Sequence, residues 1–346
     1  MDSSSSGKKK NFLMNIYENK YKPLLIISIL LLVFSLGVII YQVATTGDFV
    51  AKGITLKGGL TLTVNTNEPV NPDEIQAFLK QQYSYKSDIN VRSFGELGSY
   101  GFVVEASDLS EEEVFSALKI MMPDLSSNDY SSEITGSALG TAFFTQTLKS
   151  IFVAFLFMSL VIYLYFGHSL KLKWLTAVVS ITAGIMMFYA NSTILYILPL
   201  LMFIGLVVIY FKDNIPSFAI ILCAVSDVLL ALAVFNLMGL KLNTAGVAAF
   251  LMLVGYSIDT DILLSVRVLK RKEGTVFDRV IDAMKTGMMM SLAALIAVLT
   301  AYFFTSSAVI KEIMFILAVG LIGDIIFTWI QNAGILRWHL EKKGWK

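Results

Sequence analysis

Cysteine, histidine and proline are scarce in this chain of 346 residues. The single cysteine, Cys223, cannot form an internal disulfide. The two histidines, His168 and His339, have no metal-binding residues at suitable spacing. The sequence also contains neither a nucleophile with a neighbouring base nor a Walker-type loop. We therefore expect no enzyme, no cofactor and no bound metal.

Charge is sparse as well, because charged residues make up 15% of the chain and the formal net charge is +1. This balance excludes a strongly basic nucleic-acid binder. Hydrophobic residues make up 56% of the chain, and the mean hydropathy of +0.70 is one that a water-soluble chain of this length rarely tolerates. The composition predicts a polytopic α-helical membrane protein.

Apolar windows of about 20 residues, the length that crosses a bilayer, occur eight times. The first follows a basic segment and has no secretory cleavage pattern, so we interpret it as a retained helix. The windows are, in chain order, 23–43, 145–166, 174–190, 193–211, 216–239, 243–266, 284–304 and 310–333. A stretch rich in Ser, Asn, Asp and Glu separates the first two windows and predicts an aqueous domain.

The windows divide the chain into an N-terminal tail 1–22, a first transmembrane helix 23–43, an aqueous domain 44–143, a helix bundle 144–336 and a C-terminal tail 337–346. Lys and Arg cluster in both tails and in the loops at 171–173 and 267–272. All four regions fall on one side of the membrane when eight spans are counted. The positive-inside rule therefore predicts a multi-pass cell-membrane protein with cytoplasmic termini and an extracytoplasmic domain.

The aqueous segment carries alternating signals for strands and helices. Alternation of apolar and polar residues predicts strands, and cap residues before acidic or apolar turns predict helix starts. The order is strand 60–65, helix from Asn71, strands 89–94 and 101–105 as a hairpin, helix from Ser110, and strand 130–134. This order is typical of a small α+β ferredoxin-like domain.

Aspartates interrupt three of the apolar windows. Asp259 and Asp261 lie in one window, and Asp227 and Asp324 lie in two others. A carboxylate at bilayer depth costs roughly 2.5 to 3.5 kcal/mol, so such residues usually mark an ion or proton route. Residues two apart point to nearly opposite faces of a helix. We therefore expect one of Asp259 and Asp261 to face a helix of this chain and the other a subunit interface.

A simpler interpretation remains open for each of these side chains. An intramembrane aspartate also holds helices together by hydrogen bonding alone. Lys285, at a span boundary, is either a partner of the carboxylates or a side chain that snorkels to the membrane surface.

Four short segments resemble the successive signatures of the SecF family of the RND superfamily. They are Gly53-Ile-Thr-Leu-Lys-Gly-Gly59, Gly136-Ser-Ala-Leu-Gly140, Ser226-Asp-Val228 and Gly255-Tyr-Ser-Ile-Asp-Thr-Asp261. The signature residues to follow in the structure are Gly53, Gly58, Gly59, Gly136, Gly140, Gly255, Tyr256 and Ser257. The Gly-Tyr-Ser-Ile element is the most specific, and the Asp-Thr-Asp form resembles archaeal members.

The resemblance implies a subunit of the SecDF accessory complex, which assists protein export. The implied partners are a SecD-like subunit, the Sec translocation channel, the exported polypeptide and membrane lipid, with no nucleic acid. The resemblance also implies that ion or proton flux past Asp259, Asp261, Asp227, Asp324 and Lys285 drives motion of the outer domain. Since the family has six spans, the hairpin 174–211 would be an insertion of two helices.

Some positions depart from the family pattern. Thr55 stands where the family usually has aspartate, which weakens the expected polar role of that position. The proton-linked aspartate of bacterial relatives falls at Thr260, and an arginine that assists proton passage falls at Lys285. Two other functions stay open: an RND-type exporter of small molecules or lipids, and a non-transporting scaffold with an outer binding domain.

Overall fold

A computed structural model describes residues 17–18, 20–66, 68–83, 88–96, 99–126, 129–190, 193–271, 274–305 and 307–344. Of the predicted tails, residues 1–16, 19, 345 and 346 lie outside this part. The elements are α1 Tyr21–Thr46, α2 Ile54–Lys57, β1 Gly59–Thr66, α3 Pro72–Tyr83, β2 Ile89–Glu96, β3 Ser99–Ala106, α4 Glu111–Met121, β4 Tyr130–Thr135, α5 Ser137–Phe166, α6 Leu170–Tyr189, α7 Thr193–Asp213, α8 Ile215–Leu237, α9 Thr244–Lys270, α10 Val276–Phe304, α11 Ala308–Ile326, a π-helix Phe327–Asn332 and α12 Ala333–Lys342.

Eight helices in this part of the chain are long and apolar enough to cross a membrane, which is the number that the sequence predicts. They are α1, α5 to α10, and the continuous helix formed by α11, the π-helix and α12. Several helices extend beyond their apolar windows. For example, α10 begins at Val276 because Thr275 and Asp278 form a capping box in polar sequence. Hydropathy marks only the part of a helix that lies in lipid.

The last helix also continues past its window, through Lys342. Arg337, expected in the C-terminal tail, is buried on this helix. Its guanidinium donates to the carbonyl oxygens of Tyr17, at 2.8 Å, and Glu18, at 2.7 Å. These bonds join residues 17–18 to the last helix.

Three helices form the centre of the bundle. The apolar windows of α8, α9 and the last helix are 61%, 56% and 56% buried, whereas no other span exceeds 28%. Close approach between α11 and α9 depends on Gly320, since a Cβ atom there would lie 2.2 Å from Leu253 Cδ1. The π-helix widens the last span, and such turns are frequent at functional sites.

The pair α6 and α7 packs beside α5. Hydrogen bonds join α5 to the C-terminal end of each helix of the pair. The Lys149 amino group donates to the carbonyl oxygen of Ala190, at 2.6 Å, at the negative end of α6. At the opposite end, the Tyr163 hydroxyl donates to Asp213, at 2.5 Å. The Asn214 amide donates to the carbonyl oxygen of Phe166, the last residue of α5.

Residues 59–135 form an antiparallel sheet with the strand order β2-β3-β1-β4, and we call this part the sheet domain. The predicted order of strands and helices is present. The apolar side chains of the strands, including Leu62 and Val104, pack against those of α3 and α4, including Leu79 and Leu118. Burial of each such side chain stabilises the fold by about 1.5–3 kcal/mol. The domain thus has a hydrophobic core of its own.

Candidate functional site

Three aspartates from the three central helices meet inside the bundle. Asp227 of α8, Asp261 of α9 and Asp324 of α11 each have an exposed fraction of 0%. Asp227 lies about 18 Å along α8 from its first residue. We call these three residues and their hydrogen-bond donors the carboxylate cluster.

Asp227 and Asp324 are bound by side chains of neighbouring helices. The Ser257 hydroxyl of α9 donates to Asp227. Asp324 accepts from the hydroxyls of Thr260, at 2.8 Å, and Ser291, at 3.2 Å. Ser257, Thr260 and Asp261 all lie in the segment Gly255–Asp261, so the fourth of the segments singled out in the sequence contributes to the cluster.

Asp261 shares a donor with Asp324. The Thr328 hydroxyl lies 2.9 Å from an oxygen of each carboxyl group, and the Asn332 amide donates to Asp261 at 2.8 Å. A hydroxyl has one proton, so Thr328 donates to one carboxylate and accepts from the other only when that group is protonated. The geometry therefore favours a proton held between Asp261 and Asp324.

No basic side chain forms an ion pair with these three aspartates among the described residues. Within the same part of the chain, one oxygen of Asp227 and one of Asp261 have no hydrogen-bond partner. Burial of unpaired carboxylates is costly, and protonation relieves the cost. Cys223 lies beside the cluster, with its sulfur 3.8 Å from the Thr328 hydroxyl.

The other expected site residues lie elsewhere. Asp259 is exposed on the outer face of α9, as are Gly255 and Tyr256, and Lys285 is exposed on α10. The two aspartates of the Asp-Thr-Asp element therefore face different surroundings, Asp261 the bundle interior and Asp259 the outside. The structure does not bring Asp259 or Lys285 into the carboxylate cluster.

The first two signatures form the joint between the sheet domain and the bundle. Gly58 and Gly59 have φ of +90° and +145°, which only glycine adopts readily. A Cβ atom at Gly140 would lie 2.9 Å from the Gly58 nitrogen, and one at Gly53 would lie 2.0 Å from Asn243 Oδ1. These glycines let α2 pack between α5 and α9. Gly136 is the N-cap of α5, with open space around it.

The expectation of a weakened polar role for Thr55 was wrong. Its hydroxyl donates to Asn243 Oδ1 at 3.1 Å and accepts from the Thr244 backbone N–H at 3.3 Å. A threonine hydroxyl is both a donor and an acceptor, so the position stays polar without a charge.

Sequence reasoning missed the donors Ser291, Thr328 and Asn332, and also Gln331, whose amide donates to the Ser226 hydroxyl at 3.2 Å. Thr328, Gln331 and Asn332 are visible as polar residues in an apolar window. Their common inward direction depends on the π-helix, because a regular helix would spread these positions differently around its axis.

Comparisons with known proteins agree with this architecture. The family model described as protein export membrane protein SecD/SecF, C-terminal, matches residues 179–342. The protein-export membrane protein SecF of Pyrococcus furiosus is 30% identical over 335 residues, which cover 96% of each chain. That of Methanothermobacter thermautotrophicus is 31% identical over 327 residues, or 93% of each chain.

A solved structure is similar in fold. The crystal structure of SecDF, a translocon-associated membrane protein from Thermus thermophilus, matches 96% of this chain with a TM-score of 0.58 and 18% sequence identity. This chain spans 39% of that chain's length.

Proposed function

The chain belongs to the SecF family of protein-export membrane proteins, and on that premise we propose that it serves protein export as a subunit of a SecDF-like complex. It is a non-catalytic membrane protein. Its task is to couple ion movement to motion of the sheet domain, which helps emerging polypeptide leave the Sec translocation channel. The observation that carries the coupling is the carboxylate cluster, in which the Thr328 hydroxyl lies 2.9 Å from an oxygen of both Asp261 and Asp324.

The coupled ion in this proposal is the proton. Since each acid of the cluster lies on a different central helix, a change in protonation alters the attraction between these helices. Loss of the proton from the Asp261 and Asp324 pair removes the bond that the protonated carboxyl donates to the Thr328 oxygen, so Thr328 then bonds to only one of the two. Repulsion between the two carboxylates then moves α9 against α11, and the packed bundle supplies two alternative arrangements.

The exposed face of α9 and α10 is, in this proposal, the docking surface for a SecD-like partner. Asp259 and Lys285 are exposed there, and Tyr256 has an exposed fraction of 43%. A charge at bilayer depth facing lipid costs roughly 2.5 to 3.5 kcal/mol, which a polar partner surface removes. The remaining apolar faces contact membrane lipid.

We place the sheet domain outside the cytoplasm, where it meets the exported polypeptide. The Lys and Arg distribution supports this orientation. The order of strands and helices, with the sheet order β2-β3-β1-β4, supports a ferredoxin-like domain.

The pair α6 and α7 is an addition to a six-span core of the RND type. Its position at the side of α5, away from the three aspartates, supports this assignment, because the cluster is complete without it. The bonds from Lys149 and Tyr163 of α5 to the C-terminal ends of the pair's two helices make the pair a fixed part of the bundle.

Export into vesicles with and without a proton gradient tests the proposal. Asp261→Asn and Asp324→Asn keep size and fix the neutral state, so we expect normal assembly with a SecD-like partner and loss of gradient-dependent stimulation. Asp261→Glu restores an ionisable group and should recover part of it. The matched control is Asp213→Asn, which removes a carboxylate of α7 outside the cluster. Full stimulation in the double variant, at normal abundance, would leave the scaffold function standing.

A further inference from the structure

Glu312 is a buried acid at the end of the bundle nearest the sheet domain. It lies near the start of α11 with an exposed fraction of 9%. Its two carboxylate oxygens accept from the backbone N–H of Asn243, at 2.9 Å, and from the side-chain amide of Asn243, at 3.0 Å. Because Asn243 is the N-cap of α9, these bonds tie the first turns of α9 and α11 together.

The same asparagine is bonded to the connection that leads into the sheet domain. Asn243 Oδ1 accepts from the Thr55 hydroxyl of α2. The backbone supports this contact, since the Gly53 N–H donates to the Leu242 carbonyl oxygen at 2.7 Å and the Leu242 N–H donates to the Ala51 carbonyl oxygen at 2.7 Å. α2 ends immediately before β1, so movement of Asn243 is passed to the sheet domain within a few residues.

The backbone leaves room for this arrangement at two glycines. A Cβ atom at Gly53 would lie 2.0 Å from Asn243 Oδ1, and one at Gly246 would lie 2.3 Å from Glu312 Oε1. Any larger residue at either position would displace the bonded side chains. We call Glu312, Asn243 and Thr55 the Glu312 node.

The helices that enter the node also carry two acids of the carboxylate cluster. Glu312 and Asp324 are about 18 Å apart along the last span, and Asn243 and Asp261 are about 27 Å apart along α9. A hydrogen-bonded helix transmits displacement along its axis with little compression. Movement of α9 against α11 at the cluster therefore changes the bonds between Asn243 and Glu312.

We propose that the Glu312 node is the positioning element through which movement of α9 against α11 reaches the sheet domain. This inference rests on the proposed function and adds the residues that transmit the motion. The chemistry is specific, because a carboxylate accepts both N–H bonds of Asn243. Glutamine at 312 supplies one oxygen and an NH2 group, so it accepts only one of the two bonds and leaves two donors facing each other.

The test follows both ends of the molecule at once in the full chain, reconstituted with a SecD-like partner in lipid nanodiscs. An outer pair of spin labels at Lys119→Cys and Phe304→Cys measures the distance between the sheet domain and the bundle. An inner pair at Lys270→Cys and Lys342→Cys measures the distance between α9 and the last span. All four positions are exposed, and the buried native Cys223 stays in place.

In the wild-type protein, lowering the pH is expected to shift both distances. Thr55→Val removes one hydroxyl with little change of shape, and Glu312→Gln removes one acceptor. Both variants should keep the inner shift and lose the outer one. The control is Thr300→Val. The Thr300 hydroxyl donates to the Ile296 carbonyl oxygen of its own helix, at 2.7 Å, so this variant should keep both shifts.

The outcomes separate the two proposals. If the outer distance shifts as much in Thr55→Val and Glu312→Gln as in the wild type, the role of the node is overturned and the proposed function stays intact. Loss of the inner shift in Glu312→Gln would make Glu312 part of the titrating site, which also overturns the role of the node. An inner shift that is absent in the wild type, or that persists in the Asp261→Asn and Asp324→Asn double variant, overturns the proposed function itself. If Glu312→Gln does not fold, Thr55→Val decides.

Discussion

At the scale of single residues, the carboxylate cluster combines three acids with hydroxyl donors on α9, α10 and the last span. Asp227, Asp261 and Asp324 are conspicuous because charge in an apolar window has a high cost. Asp259 is equally conspicuous, and the two-residue spacing correctly predicted that it faces away from Asp261. The donors were harder to find, because Thr328 and Asn332 reach Asp261 only through the register of the π-helix.

Thr328 provides a direct test of the shared proton. Thr328→Val keeps the shape but removes the donor that lies between two carboxyl groups. We expect a loss of stability of about 1–3 kcal/mol, typical of a buried polar group left without its partner, and loss of gradient-dependent export. Thr328→Ser keeps the hydroxyl and should retain most of both. Thermal unfolding and vesicle export measure the two effects. Equal stability and equal export in Thr328→Val and Thr328→Ser would contradict the bridging role.

The lysine contacts of Asp88 should make the interface between the sheet domain and the bundle depend on pH. It accepts a bond from Lys241, and its other oxygen lies 3.7 Å from Lys57 Nζ. Burial acts to raise the pKa of the Asp88 carboxyl, but the bond from Lys241 and the charges of Lys241, Lys57 and Lys80 together lower it below its ordinary value of 3.8. Its stabilising effect is therefore full above the ordinary pKa and is lost as the pH falls through the lowered one.

The measurement compares melting temperatures of the wild type and Asp88→Asn across pH. The difference should be largest near neutral pH and should vanish in strong acid. The side chain is 44% exposed, so the effect is modest, about 0.2–1 kcal/mol for an exposed pair. A constant difference at every pH would mean that the charge of Asp88 is not the cause.

At the scale of elements, hydropathy predicted the number and order of the spans, but not where each helix ends. The early start of α10 depends on a capping box, and the extension to Lys342 depends on the burial of Arg337, a tertiary contact that no local pattern contains. The central strand β1 was predictable because it buries one face, which imposes a period of two, whereas β4 shows no such alternation of buried residues.

Deletion of the pair α6 and α7 tests its status as an addition. The ends of the deleted segment are already adjacent, since the Asn214 amide donates to the carbonyl oxygen of Phe166. Joining Phe166 to Asn214 through a short linker should therefore preserve α5 and α8. Because two crossings are removed, the orientation of every later helix should be unchanged. Accessibility of an introduced cysteine at Lys343 gives the readout, and loss of membrane insertion would contradict the six-span core.

At the scale of the whole molecule, the distribution of Lys and Arg predicts that the sheet domain lies outside and both chain ends lie inside. The bonds from Arg337 to residues 17–18 support a common side for the segments near both ends. Cysteine at Lys119 of α4 should react with an impermeant thiol reagent added to intact cells. Cysteine at Lys343 should react only after lysis, and labelling of Lys343→Cys in intact cells would reverse the topology.

The scarcity of cysteine has a practical consequence for observing the working cycle. The only thiol of the chain is buried on α8, and its sulfur lies 3.8 Å from the hydroxyl that joins Asp261 to Asp324. A neutral alkylating reagent small enough to follow water will reach Cys223 only in a conformation that hydrates the cluster. The alkylation rate of the native thiol therefore reports how often the interior of the helix bundle opens to solvent. The measurement requires no engineered probe.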